Sequence, residues 1–344
     1  MTASLTFMRA EIDEAGAAIA RQLAGDAGRI DRLGRKLRAL DPPVLATIAR
    51  GSSDCCALYL KYLAEIVVGV PCASIGPSIA TLYGAPLRLS GAAAVSISQS
   101  GRSPDIIEMQ RSARKAAATT IAMVNDVDSP LATEADELLP LMAGRERSVA
   151  ATKSMIAGLV AGAALVAAWR DDADLKGAIA SLPAILPAES APLPAGMIER
   201  LARAEHAFVL GRGATFAVAT EAALKLKETC AIHAEAYSSA EVLHGPAELA
   251  RPGFLVIAFM PTDAGRVGME ATLTLLHHAG ADVVRIDTGG DDSSDRLACA
   301  TVASPLLTPI AMIHRFYGLA EAVSRRLGRN PDHPRNLHKV TETV

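Results

Sequence analysis

Aromatic residues make up only 3% of this 344-residue chain, with a single tryptophan, although apolar residues reach 50%. A core organised around large rings is therefore excluded. The interior has to be built from Ala, Val, Leu and Ile, as in many layered α/β proteins. Strong charge of either sign is also missing. A formal charge of −3 gives no reason to expect nucleic acid or an anionic membrane as partner. Cysteines are few: Cys55, Cys56, Cys72, Cys230 and Cys299, an odd number with no CxxC pair. Neighbours such as Cys55 and Cys56 do not normally bridge, so all five read as reduced thiols of a cytoplasmic protein. No Cys/His cluster has structural-zinc spacing, and no metal or cofactor is expected. The N-terminus carries acids and no long apolar run, unlike a signal peptide. The apolar stretch from Ser154 to Trp169 falls short of the ~20 residues a bilayer span needs and reads as a buried helix.

Short Val/Ile/Leu runs alternate with longer helical patterns, which predicts parallel sheets flanked by helices. Residues 4–40 read as two helices broken at Gly25–Gly28. Strands are expected at 44–49, 70–75, 93–98 and 119–125. Helices are expected from the Gly51-Ser52-Ser53 loop to about Val68, at 104–117 and at 150–170. The segment 182–196 holds four prolines and is the best linker. Beyond it the pattern returns at an offset of about 160. Gly51 falls on Gly211, Leu82-Tyr83-Gly84 on Leu243-His244-Gly245, strand 93–98 on 254–259, and strand 119–125 on 281–287. Two equivalent doubly wound domains follow.

The two halves differ where chemistry would sit. After strand 93–98 comes Ser98-Gln99-Ser100-Gly101-Arg102-Ser103-Pro104; the second half has only Met260-Pro261-Thr262 there. Small hydroxyls, a glycine and a proline opening a helix favour an anion such as phosphate, through N–H groups and the helix dipole. Ser52 and Ser53, after the neighbouring strand, can join the same pocket. The competing view is an ordinary serine N-cap. There is no Walker lysine and no GxGxxG fingerprint. In the second half, Glu221, Lys225 and Glu228 share one face of an Ala/Leu-rich helix, and His233, Glu235 and His244 follow closely. Such a density of proton-transfer groups beside apolar surface suggests acid/base catalysis, against a plain solvated face.

The blocks GSS at 51–53, SQSGRSPD at 98–105, ATK at 151–153, EAALKLKETCAIHAEAYSSAEVLHGP at 221–246 and DHPRNLHKVT at 332–341 occur in an order that resembles the sugar isomerase (SIS-domain) family. The likeness spans roughly residues 40–344. It is strongest to the isomerase half of glucosamine-6-phosphate synthase and to stand-alone glucosamine-6-phosphate deaminases. It implies two tandem SIS domains, each a doubly wound parallel sheet flanked by helices. It divides the chain into a helical segment 1–29, a first domain 30–181, the linker 182–196, a second domain 197–330, and a tail 331–344 that completes the active site. It further implies a homodimer.

The resemblance also implies roles. Ser53, Ser98, Gln99, Ser100 and Ser103 would hold the sugar phosphate, and Glu228 would carry a proton between C1 and C2. His244 would open the ring, in a site completed across the dimer interface. Lys339 would form an imine with the open-chain sugar, and Lys225 would stand near the reacting carbons. Ala151, Thr152 and His338 fall at positions expected to face the sugar.

Three departures mark this chain. Arg102 reverses a charge beside the phosphate loop and becomes a candidate ligand for it. Ala151 replaces a hydroxyl residue, and His338 replaces an alanine. The SIS region begins near residue 30 with no glutaminase domain ahead of it, so the expected reaction runs from glucosamine 6-phosphate and water to fructose 6-phosphate and ammonia. The alternatives are a deaminase, deglycase or isomerase for another amino-sugar phosphate, and a non-catalytic phosphosugar-binding regulatory module.

Overall fold

A computed structural model describes residues 5–187 and 192–339. It contains two five-stranded sheets, parallel throughout. The first comprises β1 (Leu45–Ile48), β2 (Cys72–Ser74), β3 (Ala93–Ser98), β4 (Thr119–Val124) and β5 (Glu137–Pro140), in the order β2-β1-β3-β4-β5. The second comprises β6 (His206–Gly211), β7 (His233–Ser238), β8 (Leu255–Phe259), β9 (Asp282–Thr288) and β10 (Arg296–Cys299). Its order, β7-β6-β8-β9-β10, repeats the first strand for strand. The register repeats too: Leu45 pairs with Cys72 and His206 with His233, and Leu45 pairs with Ala93 as Ala207 does with Leu255. The duplication read from the sequence is therefore real. Its anchor shifts, however. The glycine equivalent to Gly51 (φ 56°) is Gly213 (φ 58°), because each takes a positive φ just ahead of the following helix. Gly211 instead ends β6, where an added Cβ would meet backbone of Phe216 at 2.4 Å.

Among the described residues, one compact unit contains the first sheet and gathers residues 17–146, 153–181 and 338–339; the other contains the second sheet with residues 5–16, 147–152, 182–187 and 192–337. In the first, the helix Lys153–Arg170 is almost wholly buried. It is long and apolar enough to cross a membrane by length and composition, but 94% of it is inside the protein. Small residues explain how so few rings suffice. A Cβ on Gly158 would lie 2.7 Å from Cys56 Sγ, and one on Gly34 would lie 2.5 Å from the Ala168 backbone. Close approach replaces side-chain bulk, and packing stays dense.

The N-terminal helices depart from expectation. The chain breaks at Glu14, and the helix Ala15–Leu40 runs through Gly25–Gly28 without interruption. Gly25 is there for space: a Cβ would meet Met142 Sδ at 2.7 Å. Helix Ala173–Ile185 likewise runs into the expected linker with Pro183 inside it, and the next helix begins at Ala195. Residues 188–191 of that linker, like residues 1–4 and 340–344 of the terminal segments, lie outside the described residues. None of the five cysteines forms a disulfide.

Candidate active site

In a sheet of order 2-1-3-4-5, the crossovers leave β1 and β3 in opposite directions, and a crevice opens between their carboxyl ends. The first sheet has that order, and Gly51-Ser52-Ser53 and Ser98–Ser103 follow those two strands. An ion pair ties the loops together: Arg50 Nε lies 3.1 Å from Asp105 Oδ2, and Asp105 is buried. Ser98 Oγ accepts the Gly101 N–H at 2.9 Å, and Ser100 Oγ accepts the Arg102 N–H at 3.3 Å. A hydroxyl that accepts keeps one proton to donate, so this turn can still offer O–H groups to an anion. Gly101 takes φ 62°, and a Cβ there would meet Ser129 Oγ at 2.1 Å, so glycine is required.

Ser103 precedes the helix Pro104–Lys115 but makes no side-chain cap bond. The ordinary serine cap is therefore not formed. Ser52, Ser53, Gln99, Ser100 and Ser103 are half-buried and Ser98 is buried. Arg102 departs from its expected role. Its guanidinium turns to Asp126, with Nη2 2.8 Å and Nε 3.2 Å from Oδ2. The paired carboxylate offsets the charge that sequence alone would have given to the phosphate.

The second sheet's helix Thr215–Lys225 ends in a π turn, Leu226–Cys230, and the first sheet's helix Ser52–Leu63 ends in the matching turn Ala64–Val68. Single π turns within helices are frequent at functional sites. Glu228 sits in this one. Lys225 is wholly enclosed, with Glu221 Oε1 3.3 Å from its Nζ and Glu228 Oε2 in close contact on the other side. Burial works against the Lys225 ammonium, but the two carboxylates overcome it and hold its pKa above that of an ordinary lysine. It is thus a fixed positive charge at neutral pH and not an amine nucleophile. Glu228 keeps a fifth of its side chain exposed, so it alone of the three can reach a bound molecule.

The turn is held from outside. Ser324 Oγ donates to Thr229 O at 2.8 Å, Thr229 Oγ1 to Lys225 O at 2.8 Å, and Cys230 Sγ to Ala320 O at 3.4 Å. Burial pushes the Cys230 thiol up to about 11, so it stays protonated near neutrality. The first copy leaves its π turn through Gly69 (φ 83°); the second leaves through Ala231 (φ 54°), a strained conformation for alanine.

His233 and Glu235 do not join this cluster. They lie on exposed positions of edge strand β7, with His233 edge-on to His206 at 5.6 Å and Glu235 accepting from Tyr237 at 3.1 Å. His244 is exposed at the end of a short 3₁₀ turn beyond β7. Glu228 therefore precedes the amino end of β7 and His244 follows its carboxyl end, and a six-residue strand spans roughly 20 Å.

Lys339 Nζ pairs with buried Glu146 at 3.1 Å. Thr152 is buried, Ala151 half-buried and His338 exposed. One contributor was missed by sequence reasoning. Asp332 accepts the N–H groups of Phe7 and Met8 at 2.8 and 2.7 Å and so caps the first helix. The capped helix lies more than 320 residues away along the chain, and only the fold reveals the pairing.

The family description "SIS domain" matches residues 43–168 and 200–308, one match over each sheet. The chain belongs to the SIS-domain family. This SIS protein is 34% identical over 322 residues to a glutamine–fructose-6-phosphate aminotransferase (isomerizing) from Thermus thermophilus, covering 88% of the chain and 53% of the relative. It thus spans about half the length of the curated relatives it matches. A solved structure from Silicibacter pomeroyi DSS-3, described as a candidate phosphosugar isomerase, is 41% identical with a TM-score of 0.88, covering 95% of this chain and all of the other. A glucosamine-6-phosphate deaminase from Thermotoga maritima shares the fold, with a TM-score of 0.71 at 20% identity, covering 95% of this chain and 100% of that one.

Proposed function

We propose that this SIS protein converts glucosamine 6-phosphate and water to fructose 6-phosphate and ammonia. The observation that carries the reading is the enclosed Lys225 ammonium, which holds the carboxylate of partly exposed Glu228 in a π turn. A carboxylate so fixed takes the C2 proton of an open-chain aldose derivative and returns it to C1. The charge that develops on the enediol or enamine is stabilised by nearby positive charge.

The phosphate is held by hydroxyls of Ser52, Ser53, Ser98, Ser100 and Ser103 and by Gln99, at the switch-point crevice. Ring opening falls to His244, whose imidazole would pass a proton to the ring oxygen. After proton transfer the sugar is a fructosimine 6-phosphate. The Lys339 amine attacks its C2, the C2–NH₂ bond breaks, and ammonia leaves. Water then hydrolyses the lysine imine to give the ketone and the free amine. Ala151, Thr152 and His338 would shape the sugar pocket. The position of His244 beyond the far end of β7 supports a dimer in which one subunit's His244 serves the other's Glu228.

The test is to incubate the protein with glucosamine 6-phosphate alone and follow both products. Equimolar ammonia and fructose 6-phosphate are expected, and neither from Glu228→Gln. Binding without turnover would replace the proposal with a phosphosugar sensor. Turnover of a different amino-sugar phosphate would keep the mechanism and change the substrate.

A further inference from the structure

Tyr317 lies in the helix Thr308–Arg326, away from every motif that suggested chemistry, and its ring is fully enclosed. Its Oη donates to Glu221 Oε1 at 2.9 Å. The same oxygen stands 3.3 Å from Lys225 Nζ, while Lys225 lies closer to Glu228 on its other side. Glu221, Lys225 and Tyr317 are all closed to solvent, and Glu228 is partly open. Four side chains therefore form one run of contacts from enclosed Tyr317 to partly open Glu228.

We infer that Tyr317 is a positioning residue that, through Glu221, holds the Lys225 ammonium toward Glu228. The physical reason is competition for one cation. Two carboxylates flank Lys225, and whichever lacks other donors draws it harder. The Tyr317 hydroxyl supplies Glu221 with a neutral donor, which lowers its demand on the ammonium and leaves Lys225 leaning outward. Without that hydroxyl, a buried carboxylate has lost a donor it cannot replace with water, and Lys225, already 3.3 Å from the same oxygen, is placed to compensate. Lys225 then moves toward Glu221, and Glu228 loses the contact that fixes its carboxylate. The hydroxyl thus acts at a distance on the group facing the substrate without touching the substrate. The inference rests on the reading that Glu228 carries the proton.

The test is Tyr317→Phe, which keeps the ring and its packing. Two readouts separate this inference from the function it rests on. The first needs no substrate: with ¹⁵N-lysine labelling, the enclosed Lys225 ammonium gives its own resonance, assigned by its loss in Lys225→Met. That resonance is expected to move in Tyr317→Phe. The second is exchange of the C1 proton of fructose 6-phosphate with D₂O, which reports proton transfer whatever the fate of the nitrogen. A fall of roughly tenfold in kcat with KM unchanged is expected, the pattern of a lost transition-state interaction. An unmoved resonance overturns the inference whether or not the protein turns over sugar. So does unchanged exchange in Tyr317→Phe when Glu228→Gln abolishes it. If Glu228→Gln itself exchanges normally, the proposed function fails, and the resonance alone then decides the coupling.

Discussion

Lys339 and Glu146 meet at 3.1 Å, and the carboxylate is wholly enclosed. Glu146 also accepts the Ser154 N–H at 3.1 Å and the Ser154 hydroxyl at 2.6 Å, in the first turn of the helix Lys153–Arg170. Three donors on a carboxylate beside a helix N-terminus make a firm anchor. The tail lysine is therefore seated by a buried acid that no motif announced. Glu146→Gln keeps the shape but removes the charge, at a cost of about 1–3 kcal/mol. Trypsin is expected to cleave after Lys339 several-fold faster in this variant, because an unseated lysine enters the protease more often. An unchanged cleavage rate would show that Lys339 is held by something else.

The phosphate binding proposed for the first switch-point loop should be separable from catalysis. Ser98→Ala with Ser100→Ala removes two hydroxyl donors to a charged ligand, each contributing about 1.5–3 kcal/mol. KM for a phosphorylated substrate should rise roughly a hundredfold or more with kcat little altered. An unchanged KM would move the phosphate elsewhere. Because Ser98 Oγ also accepts from Gly101, a loss of thermal stability accompanies the change.

The legible part of this protein was its layering. Strand 93–98 and the helix opening at Pro104 fall where period and punctuation place them, because buried parallel strands are unbroken apolar runs and Pro marks a first turn. β7 carries no apolar run to mark it as a strand: His233-Ala234-Glu235-Ala236-Tyr237-Ser238 is an edge with exposed His233 and Glu235. β5 and β10 are short edges with the same difficulty. Gly25 does not end the helix because it permits close packing against Met142, and a Cβ on Gly28 would meet only open space. The charged stripe Glu221-Lys225-Glu228 is readable from spacing, whereas Tyr317, which donates to Glu221, and Ser324, which holds Thr229 in the following turn, arrive from a helix about 95 residues on. Such pairings have no local signature.

Ala231 stores strain beside the π turn that carries Glu228. Its φ of 54° costs an L-residue about 1–2 kcal/mol, and the equivalent Gly69 avoids that cost. Part of the relief in Ala231→Gly is offset by unfolded-state entropy, leaving a gain of up to about 1 kcal/mol. Denaturant melts should show a higher midpoint. A lower midpoint would mean that the Ala231 methyl packs more strongly than its backbone is strained.

Acid should weaken the unit containing the second sheet through His314. Its ring is buried and its Nε2 meets Ile12 O at 3.1 Å. Burial lowers its pKa below the ordinary 6.5, with the bond to Ile12 opposing only in part. The unfolded chain therefore binds a proton that the folded chain refuses. The stabilisation is complete above 6.5 and declines as pH falls from there toward the folded-state value. Melting temperature should drop across that interval in the native protein and drop less in His314→Gln. Parallel pH profiles for the two would exclude His314 as the source.

The separation of Glu228 from His244 by the length of β7 makes a sharper demand on the assembly. If each site takes Glu228 from one subunit and His244 from the other, two inactive variants can repair each other. Glu228→Gln and His244→Ala are each expected to lack deaminase activity. Mixed by joint refolding or co-expression, they form heterodimers with one doubly defective site and one intact site. Random pairing then restores about a quarter of native activity. If both residues of a site come from one chain, every site in every dimer carries one defect and the mixture stays inactive. Recovery near a quarter would fix the active site at an interface between two copies; none would require His244 to fold back toward Glu228 within its own subunit.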